Sequence, residues 1–442
     1  MQWLPKVRPF AARLRPPVER RPAERAVVGG SAHGILARSA LMAAPHILLV
    51  GGGHAHALLL HHWAAKGGPP GPVTLVSPED HSPYSGMLPG YVAGHYGFGA
   101  FHVDLVGLTE RARVQRVRDR VVGLDLPGRQ VLLADGGALS FDWLSLDTGS
   151  TSGLLPLPGA AVHTMPVKPL QPFLTRLSSF LRGPAVADPA PSVVVLGGGL
   201  GGIELALALQ HRLDELRPQG TKGRVTLVER QPTLAPQLDA KVARKLARWV
   251  QAAGVEIRTC ADVVAFTARG VELRDGTFLA SDFTLTAVGA RPAPWLQQTG
   301  LALDPGGFVR VDSHLTSVSH DRVLAVGDVA HMDASPREKA GVFAVRQGPV
   351  LAAILEARLR GRPVPAFEPQ ADYLRLVSLG AKRALGLKYG RVVGGLGLGG
   401  AIMWRLKDRI DRRFMATVGT VDVRSPSKEG HAKVPPGSVR EG

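Results

Sequence analysis

A chain of 442 residues with a single cysteine is long enough for two or three domains and cannot close an internal disulfide or carry a CxxC redox pair. No uninterrupted apolar run reaches the roughly 18 to 20 residues that span a bilayer; the nearest, Val392 to Trp404, is shorter and rich in glycine. The net charge of +17 is concentrated at +6 in residues 1–44 and +7 in residues 371–415, with about +3 in 45–370 and +1 in 416–442, so the basicity marks two segments and argues against a nucleic-acid-binding body.

Residues 1–44, rich in Arg, Pro and Ala without apolar periodicity, read as a disordered or leader extension, with a start at Met42 or a targeting peptide as the alternatives. Residues 45–160 open on an apolar strand, His46 to Val50, that runs into GGGHAH. A strand delivering glycines to a helix start lets backbone N–H groups and the helix dipole meet a pyrophosphate. Gly51, Gly52, Gly53, His54 and Ala55 form that turn, but the third fingerprint position holds His56 where glycine or alanine would pack close. A helix (Ala57 to Ala65) and a strand (Val73 to Val76) follow, and Ser77 stands where an acid would meet the adenosine ribose. Met87, Leu88 and Pro89 lie in the glycine- and proline-rich stretch PYSGMLPGYVAGHY, read as a loop passing close to a flat ring. Val114 to Leu124, which includes Val121 of the candidate site, and Gln130 to Leu133 read as a strand meander. Phe141 to Leu146 then ends in Asp147-Thr148-Gly149-Ser150, a flexible backbone beside a dinucleotide.

Residues 161–304 repeat the design. After a helix (Leu170 to Leu181) and a linker (Gly183 to Pro191), the strand Ser192 to Leu196 leads into GGGLGG and a helix, Ile203 to Leu213. Gly197, Gly199 and Gly202 fill all three fingerprint positions, with Leu200 and Gly201 between them. The strand Arg224 to Val228 ends on Glu229, which suits both ribose hydroxyls of NAD(H); Arg230 keeps NADP(H) open. A helix (Asp239 to Ala253) and strands at Val255 to Arg258, Gly270 to Leu273 and Phe283 to Val288 follow, the last closing on Gly289-Ala290-Arg291-Pro292, an echo of Asp147 to Ser150. Two dinucleotide-binding domains of like design are expected. Cys260 reads as a buried small hydrophobe.

In residues 305–370, the strand Arg322 to Val326 stops at Gly327-Asp328, whose carboxylate can accept from a polyol hydroxyl, and a helix spans about Val342 to Arg358. Residues 371–415 end in an amphipathic helix: from Met403, apolar residues recur at Leu406, Ile410 and Phe414 among Arg405, Lys407, Arg409, Arg412 and Arg413. Such a helix suits an anionic membrane surface, the protein's own body or a second subunit. Residues 416–442 read as a disordered tail.

With GGGHAH, PYSGMLPG, KAGVFAVRQG and WRLKDRIDRRFM together, the chain over about 45–415 resembles the two-dinucleotide-binding flavoproteins of the pyridine nucleotide-disulfide oxidoreductase superfamily. Within them it is most similar to the type II NADH dehydrogenases, and above all to the NADH-dehydrogenase-like flavoprotein found fused ahead of selenide, water dikinase. The resemblance implies an α/β fold of two Rossmann-like domains, the NAD(P)H domain inserted into an FAD domain, with a C-terminal α+β segment. It implies FAD at Gly51–Gly53 with Asp328 on the ribityl chain, backbone donors at Gln347 and Gly348 for the pyrimidine end of the ring, and NADH, or NADPH, in the second site. Glu204 near the nicotinamide and flavin and Lys168 beside the flavin are the implied catalytic pair, and no metal is called for. The expected activity is hydride transfer from NAD(P)H to FAD and electron transfer to a quinone or another small acceptor without a redox disulfide. The alternative is an NADH-sensing flavoprotein acting through its basic C-terminal segment. Quinone-reducing relatives look to carry an AQ pair ahead of QQG, where this chain has Gly341-Val342 and Arg346-Gln347-Gly348, which leaves the acceptor open. The expected location is cytoplasmic, with room for peripheral contact with the inner face of the membrane and for a homodimer.

Overall fold

The computed structural model describes residues 44–421 except 154, 187, 188, 218, 220 and 396–398; the expected leader and the stretch 422–442 of the expected tail lie outside the described residues. Seven strands and four helices carry the site: β1 (Ile47–Val50), α1 (His54–Ala65), β2 (Val73–Val76), β3 (Trp143–Leu146), β4 (Ser192–Leu196), α2 (Leu200–Leu216), β5 (Arg224–Val228), β6 (Phe283–Thr286), β7 (His320–Ala325), α3 (Gly341–Leu359) and α4 (Gly399–Val418). The strands β1, β2, β3 and β6 are buried along their whole length, as sheets covered on both faces require.

An eight-stranded sheet runs Ala330–Met332, Val309–Val311, Thr316–Ser317, β7, β3, β1, β2, Gln115–Val117, and its stretch from β7 to Gln115–Val117 is parallel. A five-stranded, wholly parallel sheet runs Met165–Pro166, β6, β4, β5, Glu256–Arg258. Each is accompanied by an antiparallel meander, Val121–Asp125 to Ala138–Ser140 in one case and Val263–Thr267 to Phe278–Ala280 in the other. The two echoing turns of the sequence are bonded to each other: Thr151–Ser152 pairs antiparallel with Ala290–Arg291. A three-stranded antiparallel sheet (Arg375–Ser378, Ala384–Lys388, Arg391–Gly394) and α4 form the C-terminal α+β part.

Several local expectations change. Helices α1 and α2 start three residues earlier than the apolar pattern suggested, because Gly53 and Gly199 are extended N-caps and the histidine or leucine after each already turns helical. Val114 to Leu124 is two strands, Gln115–Val117 in the large sheet and Val121–Asp125 in the meander. The stretch PYSGMLPG is no open loop: it leaves the strand His81–Pro83 and becomes a short helix, Leu88–Val92, with Pro89 in its first turn. Cys260 is exposed, since the chain turns there with φ +53° and the residue leaves the core. Residues 416–418 continue α4, and Thr420 bridges to Val103.

Helix α4 is amphipathic in an unexpected sense. Asp411, Phe414, Met415 and Val418 face the body and are buried, whereas Ile402, Leu406 and Ile410 are 60%, 37% and 48% exposed. The apolar residues thus divide over two faces, and Leu406 and Ile410 do not share the packing face of Phe414. No helix among the described residues is long and apolar enough to cross a membrane.

Candidate functional site

In the first sheet β1 lies between β2 and β3, and in the second β4 lies between β5 and β6; these are the positions where parallel α/β sheets open a crevice at the carboxyl ends of their strands. Both turns there need glycine. Gly51 has φ +94° and Gly197 φ +106°; a Cβ at the first would enter the Asp147 carbonyl, and at the second would stand 2.8 Å from the Ala287 oxygen. Gly202 lets α2 approach the Gly197 carbonyl at backbone distance, closer than any side chain would allow.

In the first turn that place is held by His56, which is fully buried. Its Nδ1 lies 2.7 Å from the Gly51 carbonyl and its Nε2 2.8 Å from Ser145 Oγ. Because a carbonyl only accepts, Nδ1 donates to Gly51 and Nε2 accepts the serine hydroxyl. Burial keeps the ring neutral, lowering its pKa to about 4 against the opposing Gly51 bond. The helix-to-strand gap is bridged by an imidazole rather than closed by a glycine.

Asp147, only 3% exposed, reaches from the end of β3 into the space that Gly53 leaves and accepts from the His56 backbone N–H at 2.9 Å and from that of Ala55. Burial pushes its carboxyl up to about 7; these two bonds oppose the shift and the charge of Asp328 reinforces it. Sequence reasoning placed Asp147 in a turn and gave it no role; the available signal was an acid directly after a buried apolar strand. Next to it Thr148 Oγ1 is buried without a partner among the described residues, and a Cβ at Gly149 or Gly199 would meet nothing within 4 Å. An orphaned hydroxyl and open space beside two glycine turns fit a dinucleotide in each crevice.

Lys168 and Asp328, far apart in sequence, meet. Lys168 Nζ is 2.8 Å from Asp328 Oδ2, and Ser150 Oγ donates to the same oxygen at 2.9 Å. Burial pushes the Asp328 carboxyl up, but Lys168, Ser150 and His54 outweigh it and hold it below the usual carboxylate range. His54, at the first position of α1, is lowered to about 4 by burial, opposed by Asp328; its ring stands edge-on to Tyr84 at 5.1 Å and Phe414 at 5.8 Å.

Other expected positions fall elsewhere. The side chains of Met87, Leu88 and Val121 belong to the hydrophobic core, and the Ser77 hydroxyl is turned to the Glu79 carbonyl at 3.3 Å. Gln347 and Gly348 are not free backbone donors, because α3 begins at Gly341 and both lie inside it. Gln347 works through its side chain, whose Oε1 accepts from the Gly327 N–H at 2.7 Å, and a Cβ on Gly348 would press on Leu58 and the Ala55 carbonyl of α1. The unpaired donors of α3 are those of its first turn, at Gly341. Lys339, just before it, donates to the Ala330 carbonyl at 2.7 Å; burial lowers its pKa to about 8 against Asp304 and Asp328. With Asp328, Phe343 and Gln347 it lines one cavity.

In the second crevice Glu229 accepts from the N–H groups of Gly198 at 2.6 Å and Gln231 at 2.7 Å, Arg230 is exposed, and Gly289 turns with φ +37°. Glu204, half-buried in α2, accepts from the Ser378 N–H at 2.7 Å; burial raises its pKa to about 6, with Lys407 opposing and Asp411 reinforcing. Lys407 Nζ lies 2.6 Å from Asp411 Oδ2. The Tyr84 hydroxyl is bonded to Asp411 and its ring stacks on Phe414 at 4.5 Å. Helix α4 therefore joins the vicinity of Glu204 to that of His54, and Tyr84 and Asp411 are site residues that local sequence patterns did not single out. Among the described residues no group of His, Cys, Asp and Glu is arranged to hold a metal.

The sequence profile described as "Pyridine nucleotide-disulphide oxidoreductase" matches residues 45–349. The chain belongs to that family. As a pyridine nucleotide-disulphide oxidoreductase it has a Rossmann-like flavoprotein fold, with FAD and NADH as its cofactors. It is 33% identical over 236 residues to an NADH dehydrogenase-like protein of Mycobacterium tuberculosis, an alignment covering 52% of this chain and 59% of the relative. It is 27% identical to the demethylphylloquinone reductase NdbB of Synechocystis over 368 residues, covering 78% and 88%. The solved structure of NDH2 from Plasmodium falciparum in complex with NADH matches the oxidoreductase fold with a TM-score of 0.72 at 12% identity, over 85% of this chain and 97% of that one.

Proposed function

We propose that this oxidoreductase takes reducing equivalents from NADH through FAD and delivers them to a small two-electron acceptor of the quinone class. The observation that carries the reading is the pair of glycine crevices bonded to one another through Thr151–Ser152 and Ala290–Arg291, with the Lys168–Asp328 pair beside the first and Glu204 in the helix of the second. FAD, when bound, supplies the capacity to accept a hydride and pass electrons on. In this reading the turn Gly51–Gly53 and the first N–H groups of α1 hold its pyrophosphate. Asp328, fixed by Lys168 and Ser150, accepts from the ribityl chain, while the first turn of α3 and Lys339 give the far end of the ring a positive surround. Glu229 takes the ribose hydroxyls of NADH and disfavours a 2′-phosphate, though exposed Arg230 leaves NADPH as a weaker substrate. Glu204 keeps one oxygen on the Ser378 N–H and can hold or release a proton near pH 6 with the other.

The single cysteine lies exposed after Glu256–Arg258, so electrons do not leave through a disulfide. The quinone is supported by the named activity of the cyanobacterial relative. The exposed row Ile402, Leu406, Ile410 with Arg405, Arg409 and Arg413 supports peripheral contact with an anionic membrane surface, where such an acceptor dissolves. The four motif stretches of the sequence support a place beside the flavoprotein fused ahead of selenide, water dikinase. Anaerobic titration of the purified yellow protein with NADH and NADPH, followed by addition of a soluble quinone analogue, tests the proposal. Bleaching by NADH and recovery with the quinone are expected; a flavin that NADH does not bleach refutes it.

A further inference from the structure

The first crevice differs from the second in a further chemical respect: its helix end is already served by an acid. Helix α1 has four N–H groups without a helical acceptor, those of Gly53, His54, Ala55 and His56. Asp147 takes the last two of them. A diphosphate at the remaining donors would share one helix end with a buried carboxylate. No cation answers that carboxylate among the described residues: the charged or titratable groups around it are Asp328 after β7, whose partner Lys168 is already engaged, and His54 and His56 of α1, both held neutral.

We propose that Asp147 is a cofactor-positioning residue that takes up a proton when FAD binds to the turn between β1 and α1, so that flavin affinity declines as pH rises. The inference rests on the assignment of FAD to that turn. The neutral acid still accepts from the Ala55 and His56 N–H groups through one oxygen, and its own O–H becomes a donor where the carboxylate would repel. Burial, reinforced by Asp328 and opposed by the two N–H bonds, already lifts the carboxyl to about 7, and an adjacent diphosphate moves it further the same way. Below this value Asp147 enters the complex already protonated and affinity is flat. Above it each flavin must bring in a proton, and the dissociation constant rises by up to about tenfold per pH unit.

The test uses the full-length protein stripped of flavin. FAD binding is followed by quenching of flavin fluorescence from pH 6 to 9, and proton uptake at pH 8 by an indicator dye in weak buffer. The wild type is expected to weaken above pH 7 and to take up close to one proton per FAD, whereas Asp147→Asn binds with a flat profile and no uptake. Lys339 also titrates in this range, so Lys339→Met is the second variant: uptake that survives it belongs to Asp147, and uptake that vanishes with it overturns the inference. A pH slope unchanged in Asp147→Asn, or wild-type binding without uptake, overturns it as well. FAD that binds at no pH removes the site assignment itself; FAD that binds without a proton removes only the role of Asp147.

Discussion

Lys168 Nζ stands 2.8 Å from Asp328 Oδ2 across 160 residues of sequence, on a carboxylate that also receives the Ser150 hydroxyl. The pair ties the segment entering the second sheet to the segment leaving the first, so a residue proposed to touch the flavin is positioned by one that precedes the nicotinamide crevice. The side chain of Lys168 is 32% exposed, which limits the worth of the pair. Lys168→Met is expected to lower stability by about 1–2 kcal/mol at pH 7. Asp328 is held below its ordinary value, so its contribution is complete above the normal carboxylate range and fades as pH falls through the depressed value. Thermal unfolding at pH 7 and at pH 3 should therefore show the difference between variant and wild type shrinking in acid, and a gap that widens there contradicts the arrangement.

His54 and His56 separate flavin binding from folding. His56→Ala leaves the Gly51 carbonyl and Ser145 hydroxyl unpaired around a new void, a loss of about 2–4 kcal/mol. His54→Ala removes two edge-on ring contacts, about 1 kcal/mol, but strips a wall from the crevice. Flavin retained per folded molecule is expected to fall more in His54→Ala, and melting temperature more in His56→Ala. Equal flavin retention in both variants would reject that ordering.

Glu229 is the residue proposed to carry the choice of nicotinamide nucleotide. Glu229→Ala removes the proposed acceptor for two ribose hydroxyls along with the bonds to Gly198 and Gln231. The NADH dissociation constant should rise on the order of tenfold, with little loss for NADPH, which meets one negative charge fewer. Titration of both nucleotides against the oxidised protein measures the ratio; an unchanged ratio would place the adenosine ribose elsewhere.

The parts of this architecture that follow a local rule were legible in the sequence. The strands at Ile47, Val73, Ser192 and Arg224 are mainly apolar runs because both faces of a parallel sheet are covered, and Gly197 and Gly202 are glycines because backbone must approach backbone. What local rules miss is pairing across distance. Asp147 has meaning only once β3 lies beside β1, and His56 only once Ser145 is opposite it. The exposure of Leu406 and Ile410 could not be read from α4 itself, whose apolar residues occupy two faces; which face is buried is decided by Tyr84 and Glu204, hundreds of residues earlier. Gln347 belongs with these: it lies inside the helix that the sequence already placed from about Val342, and its side chain acquires a role only once Gly327, 20 residues earlier, stands beside it.

Glu204 should reveal itself in stability as well as in turnover. Its carboxyl is raised from 4.5 to about 6 by burial, so ionising it at neutral pH costs the folded state free energy that is absent in acid. Glu204→Gln keeps an oxygen for the Ser378 N–H and removes that cost. It is expected to be more stable than wild type by about 1–2 kcal/mol at pH 8, with the advantage gone below pH about 4.5, and to lack the pH dependence of turnover near 6 that the wild type should show. A variant that melts below wild type at pH 8 would show that the ionised Glu204 is instead held by Lys407.

The exposed row on α4 gives the last test, because its two faces predict opposite outcomes. Leu406 and Ile410 touch little of the body, so Leu406→Ser with Ile410→Ser should change stability by no more than about 0.5 kcal/mol, whereas Phe414→Ala, which removes the ring stacked on Tyr84, should cost about 3 kcal/mol. If the row rests on an anionic bilayer, the double variant loses sedimentation with vesicles containing acidic phospholipid, and Arg405→Gln with Arg409→Gln weakens it in a salt-dependent way. If the row is instead covered by a second copy, the double variant moves to a smaller species in sedimentation equilibrium and vesicle binding is unaffected. Loss of neither property would leave the row a solvent-exposed surface, and the proposed quinone would then have to be reached by something other than direct contact of α4 with the membrane.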